Sequence, residues 1–193
     1  MKLGTFMMPL HPPEKNRTAC FQEDVEFIVR ADQLDFTEAW IGQHHTVAWE
    51  PIPSNDVFIA HVLPQTKKIR LGTGVSIMPQ HHPTNIAVRL AYLDHLSQGR
   101  INCGFGQGGV TTDWGLFDLP DPKTQGLMTL EGIDMVLKLW QTEAPFDFKG
   151  DFYHIKIDEP RPELGIGEVL KPFQQPHPPI AMSVIKGDSM AAT

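Results

Sequence analysis

Short apolar runs alternate with amphipathic stretches along nearly the whole chain, and this alternation constrains the fold more than any other feature. Leu3 to Met8 reads as a first strand, ending in a proline-rich loop over Pro9–Pro13. A helix follows over Phe21–Leu34, with apolar residues at 21, 25, 28, 31 and 34. Ala39–Ile41 is a second strand. Ser54 or Asn55 then caps a helix to about Val62, with Pro64 just beyond its end. Ile69–Met78 reads as one long third strand. Thr84 opens a helix that buries Ile86, Val88, Leu90, Leu93 and Leu96 and closes at Gln98-Gly99. Ile101–Phe105 is a fourth strand. A helix from about Gln125 to Gln141 carries Leu127, Leu130, Ile133, Val136, Leu137 and Trp140 on its apolar face. Residues 143–178 interrupt the rhythm as an insertion, with a hairpin around Lys149-Gly150-Asp151 and then a proline-rich stretch. Ile180–Val184 resumes as a fifth strand, and Gly187-Asp188-Ser189 reads as the start of a fifth helix.

Strands that alternate with helices form a parallel sheet with right-handed crossovers. Five strands fit either an open doubly wound sheet or the first part of an eight-stranded barrel, which takes ~250 residues. Ending at a helix N-cap favours the second, so the expectation is a single domain over residues 1–193: a TIM (β/α)8-type barrel, truncated after about five strands. The net charge of -7 and the lack of any basic cluster argue against nucleic-acid and anionic-membrane surfaces. No apolar run approaches the ~18 residues of a membrane span. The N-terminal segment, broken by Pro9, Pro12 and Pro13, does not read as a signal peptide. Cys20 and Cys103 lack framework spacing and read as reduced thiols of a cytoplasmic protein.

Two histidine pairs, His44-His45 and His81-His82, lie just beyond strands two and three, where such sheets bind ligands. Adjacent residues of an extended segment point to opposite sides. One can therefore face a pocket while the other packs: His44 reads either as a general base or proton donor, with His45 its packing neighbour, or as a histidine satisfied by loop backbone. Pro83 presets a helix start, so His82 reads as a brace of that turn. Gly104-Phe105-Gly106-Gln107-Gly108-Gly109 allows a ligand close to the backbone but is not a dinucleotide fingerprint. Gly187-Asp188-Ser189 offers free N–H groups and a hydroxyl to an anion, or is an ordinary cap. There is no Ser-His-Asp or Cys-His arrangement, and no metal-ligand spacing. Asp32 and Asp35 read as solvated helix surface, while Glu38 and Glu50 lie near the strand-two loop without an assigned role. Trp40, Trp49 and Phe105 could wall a pocket, although core packing suits each.

In combination these segments are more specific. Phe6-Met7-Met8-Pro9, Ala39-Trp40-Ile41-Gly42-Gln43-His44-His45, the run from Leu71 to Pro83, and Leu93-Asp94-His95-Leu96-Ser97-Gln98-Gly99-Arg100 with its glycine-rich strand exit resemble the bacterial luciferase-like flavin monooxygenases. The start and Trp49-Glu50 are most similar to the limonene monooxygenase type. The resemblance implies a barrel that takes reduced FMN from a separate flavin reductase and activates O₂ as a C4a-hydroperoxyflavin. The substrate implied is small and apolar: a terpene, an alkane-like chain or an aldehyde. It also implies that His44 handles protons beside the flavin. Thr73, Gly74 and Val75 would back the ring, often with a cis non-proline peptide, Gly106 and Gln107 would flank it, and Ser189 would bind the phosphate.

Two residues depart from the family pattern. Gln43 stands where a glutamate usually precedes the histidines, removing a charge that could raise the imidazole pKa. Gln107 stands for the arginine of luciferase itself. An open half-barrel exposes strand edges, so the expectation is an incomplete chain or a homodimer that covers them. Two other readings stay open: a deazaflavin-dependent hydride-transfer oxidoreductase, and a non-catalytic flavin-binding or truncated product.

Overall fold

In the computed structural model, which describes residues 2–183, the parallel sheet forms as the alternation predicts. The elements are β1 (Gly4–Met7), α1 (Arg17–Gln33), β2 (Glu38–Ile41), α2 (Asn55–Val62), β3 (Arg70–Thr73), β4 (Ser76–Ile77), α3 (Pro83–Ser97), β5 (Ile101–Gly106), α4 (Thr111–Leu116), α5 (Pro122–Gln141), the hairpin β6 (Phe146–Lys149) and β7 (His154–Ile157), and β8 (Ile180–Met182). In the main sheet β1, β2, β3/β4, β5 and β8 occupy five parallel positions, and among the described residues the sheet does not close into a barrel. The register sets Gly4 beside Glu38, Glu38 beside Arg70, Leu71 beside Ile101 and Cys103 beside Ile180.

The expected long third strand is broken. β3 pairs with β2 and the first half of β5, and β4 pairs with the second half of β5. The intervening Gly74–Val75 peptide bond is cis, as the resemblance implies. Thr73 ties the two strands together: its hydroxyl donates to the Gly104 carbonyl and accepts from the Gly104 N–H, both at 2.9 Å.

Alternate strand residues Ala39, Ile41, Leu71, Ile101, Cys103 and Phe105 face the helices, where Ile28, Ile59, Leu90 and Leu139 bury against them. Each fully buried side chain of this size contributes roughly 1.5–3 kcal/mol. The buried stripe of α5 differs from the expected one. Leu127 and Leu130 are exposed, while Gly126, Thr129, Gly132, Val136 and Trp140 face inward. The small residues let α5 approach α3 and the β4 exit, where a Cβ on Gly132 would come within 2.9 Å of Met78 Cε. Trp140 Nε1 donates to the Ala87 carbonyl at 3.0 Å. The hairpin docks on α5 through Glu131, which accepts from the N–H groups of Asp151, Phe152 and Tyr153 at 2.8–2.9 Å.

The amino-terminal end of the sheet is densely hydrogen-bonded. Asp32 is buried, not solvated as its helical position predicted. It accepts from the N–H groups of Lys67, Lys68 and Ile69 at 2.7–2.9 Å. Burial alone would push its carboxyl up. The three N–H groups and Arg100 outweigh this and hold it below the ordinary range. Arg100 donates to the carbonyls of Leu63, Thr66 and Ile69. Arg70 reaches Gly99, Ile101, Asn102 and Gln174. Glu38 belongs to this end as well, accepting from Asn102 Nδ2 at 3.2 Å.

Candidate active site

The opposite end of the sheet is built differently. Its strands stop at Met7, Ile41, Ile77 and Gly106, and the loops beyond carry His11, His44, His45, Gln80 and Gln107. Gln43 accepts from the Asn55 N–H at 3.1 Å, so it caps α2 instead of facing the histidine ring. Asn55 in turn donates to the carbonyls of Ile41 and Val75, which fastens the β2 exit to the β3–β4 break. These bonds bring the His44 loop and Val75 together.

His44 lies between two carboxylates that the sequence reading did not assign to it. Its Nε2 is 2.9 Å from Glu50 Oε2, and its Nδ1 is 3.7 Å from Asp113 Oδ2. Glu50 is 1% exposed, and neither of its oxygens has an aligned hydrogen bond. Burial pushes this carboxyl above the ordinary carboxylate range, against the pull of the His44 imidazole. The charge that Gln43 lacks is thus supplied seven residues further along, by Glu50. Asp113 sits in α4, a six-residue helix too short to announce itself by periodicity. It accepts from the N–H groups of His45 and Thr46 and from the Thr46 hydroxyl. Burial would raise its carboxyl, but those donors hold it below the ordinary range. The ring of His45 meets Phe117 edge-on at 4.7 Å, the packing role expected of it.

On the inner face of the sheet, glycines let aromatic rings lie flat on the backbone. A Cβ on Gly72 would fall 2.5 Å from Trp40 Cε3, and one on Gly74 would fall 2.9 Å from Phe6 Cε2. Trp40 therefore covers the inside of the sheet and is not core; Phe105 is core, and Trp49 is half exposed. Gly106 lies against Val75 and Ser183. The Thr73 side chain is fully buried and spent on Gly104, so it braces the shelf and is not offered to a ligand. Gly74, Val75 and Gln107 are only partly buried and stand along the shelf's upper margin. Ser189 lies outside the described residues. An open cleft of about 440 Å³ beside His44 is bordered by Arg17, Phe21, His45 and Pro51.

Among the described residues, the buried side-chain polar atoms without a hydrogen-bond partner cluster toward this end. They are on His44, His45, Glu50 and Gln80, on Arg17 and Asp24 in the first half of α1, on Trp114 and Gln125, and on Tyr153 beside the His82 ring. Such atoms cost free energy and are rare in folded proteins. His82 itself caps α3, its Nδ1 accepting from the Thr84 N–H at 3.3 Å, which is the bracing role expected of it. No helix among the described residues is long and apolar enough to cross a membrane.

A parallel α/β sheet with a flat inner shelf and an unsatisfied carboxyl-end rim defines the class: a TIM-barrel-type fold. The chain belongs to the luciferase-like monooxygenase family, whose model matches residues 1–191. It is 34% identical over 155 residues to 4-hydroxyprotoasukamycin monooxygenase of Streptomyces nodosus subsp. asukaensis, covering 80% of this chain and 42% of that protein. It is 35% identical over 141 residues to limonene 1,2-monooxygenase of Rhodococcus erythropolis, covering 73% and 36%. The fold superposes with a TM-score of 0.86 and 23% identity on the oxygenating constituent of 3,6-diketocamphane monooxygenase from Pseudomonas putida, a type II Baeyer-Villiger monooxygenase in complex with FMN. That match covers 94% of this chain and 51% of the other. The chain thus spans about half or less of the proteins it matches.

Proposed function

We propose that this chain forms the flavin-facing part of an FMN-dependent monooxygenase that oxygenates a small apolar substrate. The observation that carries the reading is the juxtaposition of a glycine-backed aromatic shelf with unsatisfied polar atoms around His44. A planar ring suits the shelf, and unsatisfied polar atoms suit a polar ligand edge. Reduced FMN, when bound, supplies the activation of dioxygen. Gly74, Val75, Gly106 and Gln107 would border the ring, and Thr73 would keep the two strands beneath it in register. Ser189 would hold the phosphate. Phe6 and Trp40 present apolar surface that keeps water from the reacting face. His44 would hold or move a proton at Nδ1, a buried ring nitrogen without a hydrogen-bond partner. In this reading the reduced flavin comes from a separate reductase. The edges at β1 and β8, open among the described residues, would be covered by further chain or by a second copy.

The test is FMN binding by fluorescence quenching, followed by product analysis with FMNH₂, ¹⁸O₂ and a panel of terpenes, alkanes and aldehydes. Label in the product that depends on reduced FMN is the expected result. Failure to bind any flavin ends the reading for this chain. Binding of a deazaflavin, with hydride transfer and no label, would replace oxygenation by the second chemistry.

A further inference from the structure

We infer that Glu50 is the positioning residue for His44, and that its protonation decides whether Nδ1 of that histidine accepts or donates a proton. The inference rests on the proposed flavin site at this rim. The two acids around His44 are not equivalent. Asp113 is saturated by Thr46 and His45, so its placement is explained by clamping the loop. Glu50 is as deeply buried and has no such partners; His44 at 2.9 Å is the ionisable group it has. A buried carboxyl without a partner is strongly unfavourable. Keeping one here therefore requires that it share protons with the imidazole.

The backbone aims this carboxyl. The Glu50 N–H donates to Val47, the next carbonyl but one, on Ile52, accepts from the His44 N–H at 3.0 Å, and Trp49's carbonyl accepts from His11 at 2.8 Å. The loop is thus pinned on both sides of Glu50. With Glu50 ionised, the ring proton belongs on Nε2, facing the carboxylate, and Nδ1 is bare and basic. When the pair takes up one proton, Oε2–H donates to Nε2 and the ring proton resides on Nδ1, which is then a donor. One proton enters at Nδ1, and the Nε2 proton passes to Oε2, so an Nε2–H bond is exchanged for an Oε2–H bond. The other groups facing the pair are Asp113 from α4, His45, whose Nδ1 lies 3.9 Å from Asp113, and Arg17 from α1 across the cleft. Burial pushes the Glu50 carboxyl upward, which favours its protonated form beside a ring nitrogen 2.9 Å away.

The experiment is side-chain NMR of the full chain with ¹⁵N-histidine and ¹³C-glutamate across pH, in the wild type and in Glu50→Gln. In the wild type, the Glu50 carboxyl and the His44 nitrogens should report the same two-step titration, with the Nε2–H tautomer favoured at high pH by about tenfold or more. A glutamine can donate or accept, so in Glu50→Gln that preference should fall to near unity and the titration should become a single step. Unchanged His44 shifts in Glu50→Gln would overturn the proposal. If that variant does not fold, the wild type decides alone: a Glu50 titration with no echo at His44 is equally fatal. FMN binding, measured separately by fluorescence, distinguishes failure of the flavin reading from failure of this one, because the tautomer result does not depend on it.

Discussion

The two ends of the sheet solve the problem of buried polarity in opposite ways. At the amino-terminal end every principal charge is saturated. Asp32 takes three N–H groups, Arg100 reaches three carbonyls, and Arg70 spans β5 and Gln174. At the carboxyl end His44, Glu50 and Gln80 keep buried atoms without hydrogen bonds. Hydrogen bonding is concentrated at the first end, and at the second some is given up, as the proposed ligand rim would require. The comparison teaches that a charge's neighbours, not its burial, separate a strut from a site. Asp113 makes the point within the rim itself, since it lies beside His44 and is nevertheless a strut.

The strongest challenge to this division is Asp32→Ala. It would strip the acceptor from the fully buried Ile69 N–H and from two further N–H groups, at a cost of about 3 kcal/mol. Urea unfolding should register that loss, while the folded fraction binds FMN as before. Reduced flavin affinity in correctly folded Asp32→Ala would break the separation of the two ends. The same residue sets an acid limit. Its folded pKa is lowered, so its contribution is complete above about pH 4 and is withdrawn as the pH falls through the folded value. In Asp32→Ala this part of the acid-unfolding profile should disappear.

At the other end, His44→Ala should cut substrate-coupled oxygenation by ~100-fold, the scale of a general acid or base. Its unfolding free energy should fall by about 1–3 kcal/mol, because removing the ring leaves the buried Glu50 carboxyl without its ionisable partner. A variant with normal coupling and lowered stability would reverse the assignment and make His44 a strut.

How much of this was legible depended on how many residues carry each signal. Helix and strand periods extend over whole elements, so the parallel sheet, α1, α2, α3 and the β6–β7 hairpin followed from pattern. The β3–β4 break did not, because Gly74 and Val75 interrupt a run that is apolar on both sides. The α5 stripe was displaced because buried glycine and threonine carry no hydrophobic signal. His44 and the glycine exit of β5 were found from their position after strands. Their partners were not. Asp32 is an acid on a helix, and only its tertiary neighbours reveal the loop it ties. Asp113 belongs to a helix of six residues, and nothing local links it to a loop 68 positions earlier. Glu50 left one clue, an acid among Trp49, Pro51 and Ile52, where solvation is a poor explanation.

A smaller effect separates the pairs of histidines by pH. Burial, followed by the charge of Arg89, lowers the pKa of His81, with Asp56 opposing. The folded value lies below the unfolded one near 6.5, so the folded state prefers the neutral ring. Stability is full above that pH and declines as the pH falls toward the folded value, by at most about 1.4 kcal/mol per pH unit. His81→Asn should flatten the stability profile between pH 7 and 5. A slope that persists unchanged assigns it to another group.

The smallest effect sharpens the comparison most, because His82 shares its motif with His44. Its Nδ1 caps α3 from an exposed position at 3.3 Å, and its ring edge meets Tyr153 at 5.8 Å. A cap of this length in solvent is worth about 0.5 kcal/mol, so His82→Ala should lower thermal stability slightly. His82→Asn, which can cap in the same way, should restore it. Neither change should alter flavin affinity, since the His82 Nδ1 is spent on the cap and the residue is exposed. Weaker FMN binding in both variants at unchanged stability would mean that the second pair also faces the ligand. The rim would then extend past the β4 exit, and the boundary between strut and site would have to be redrawn through α3.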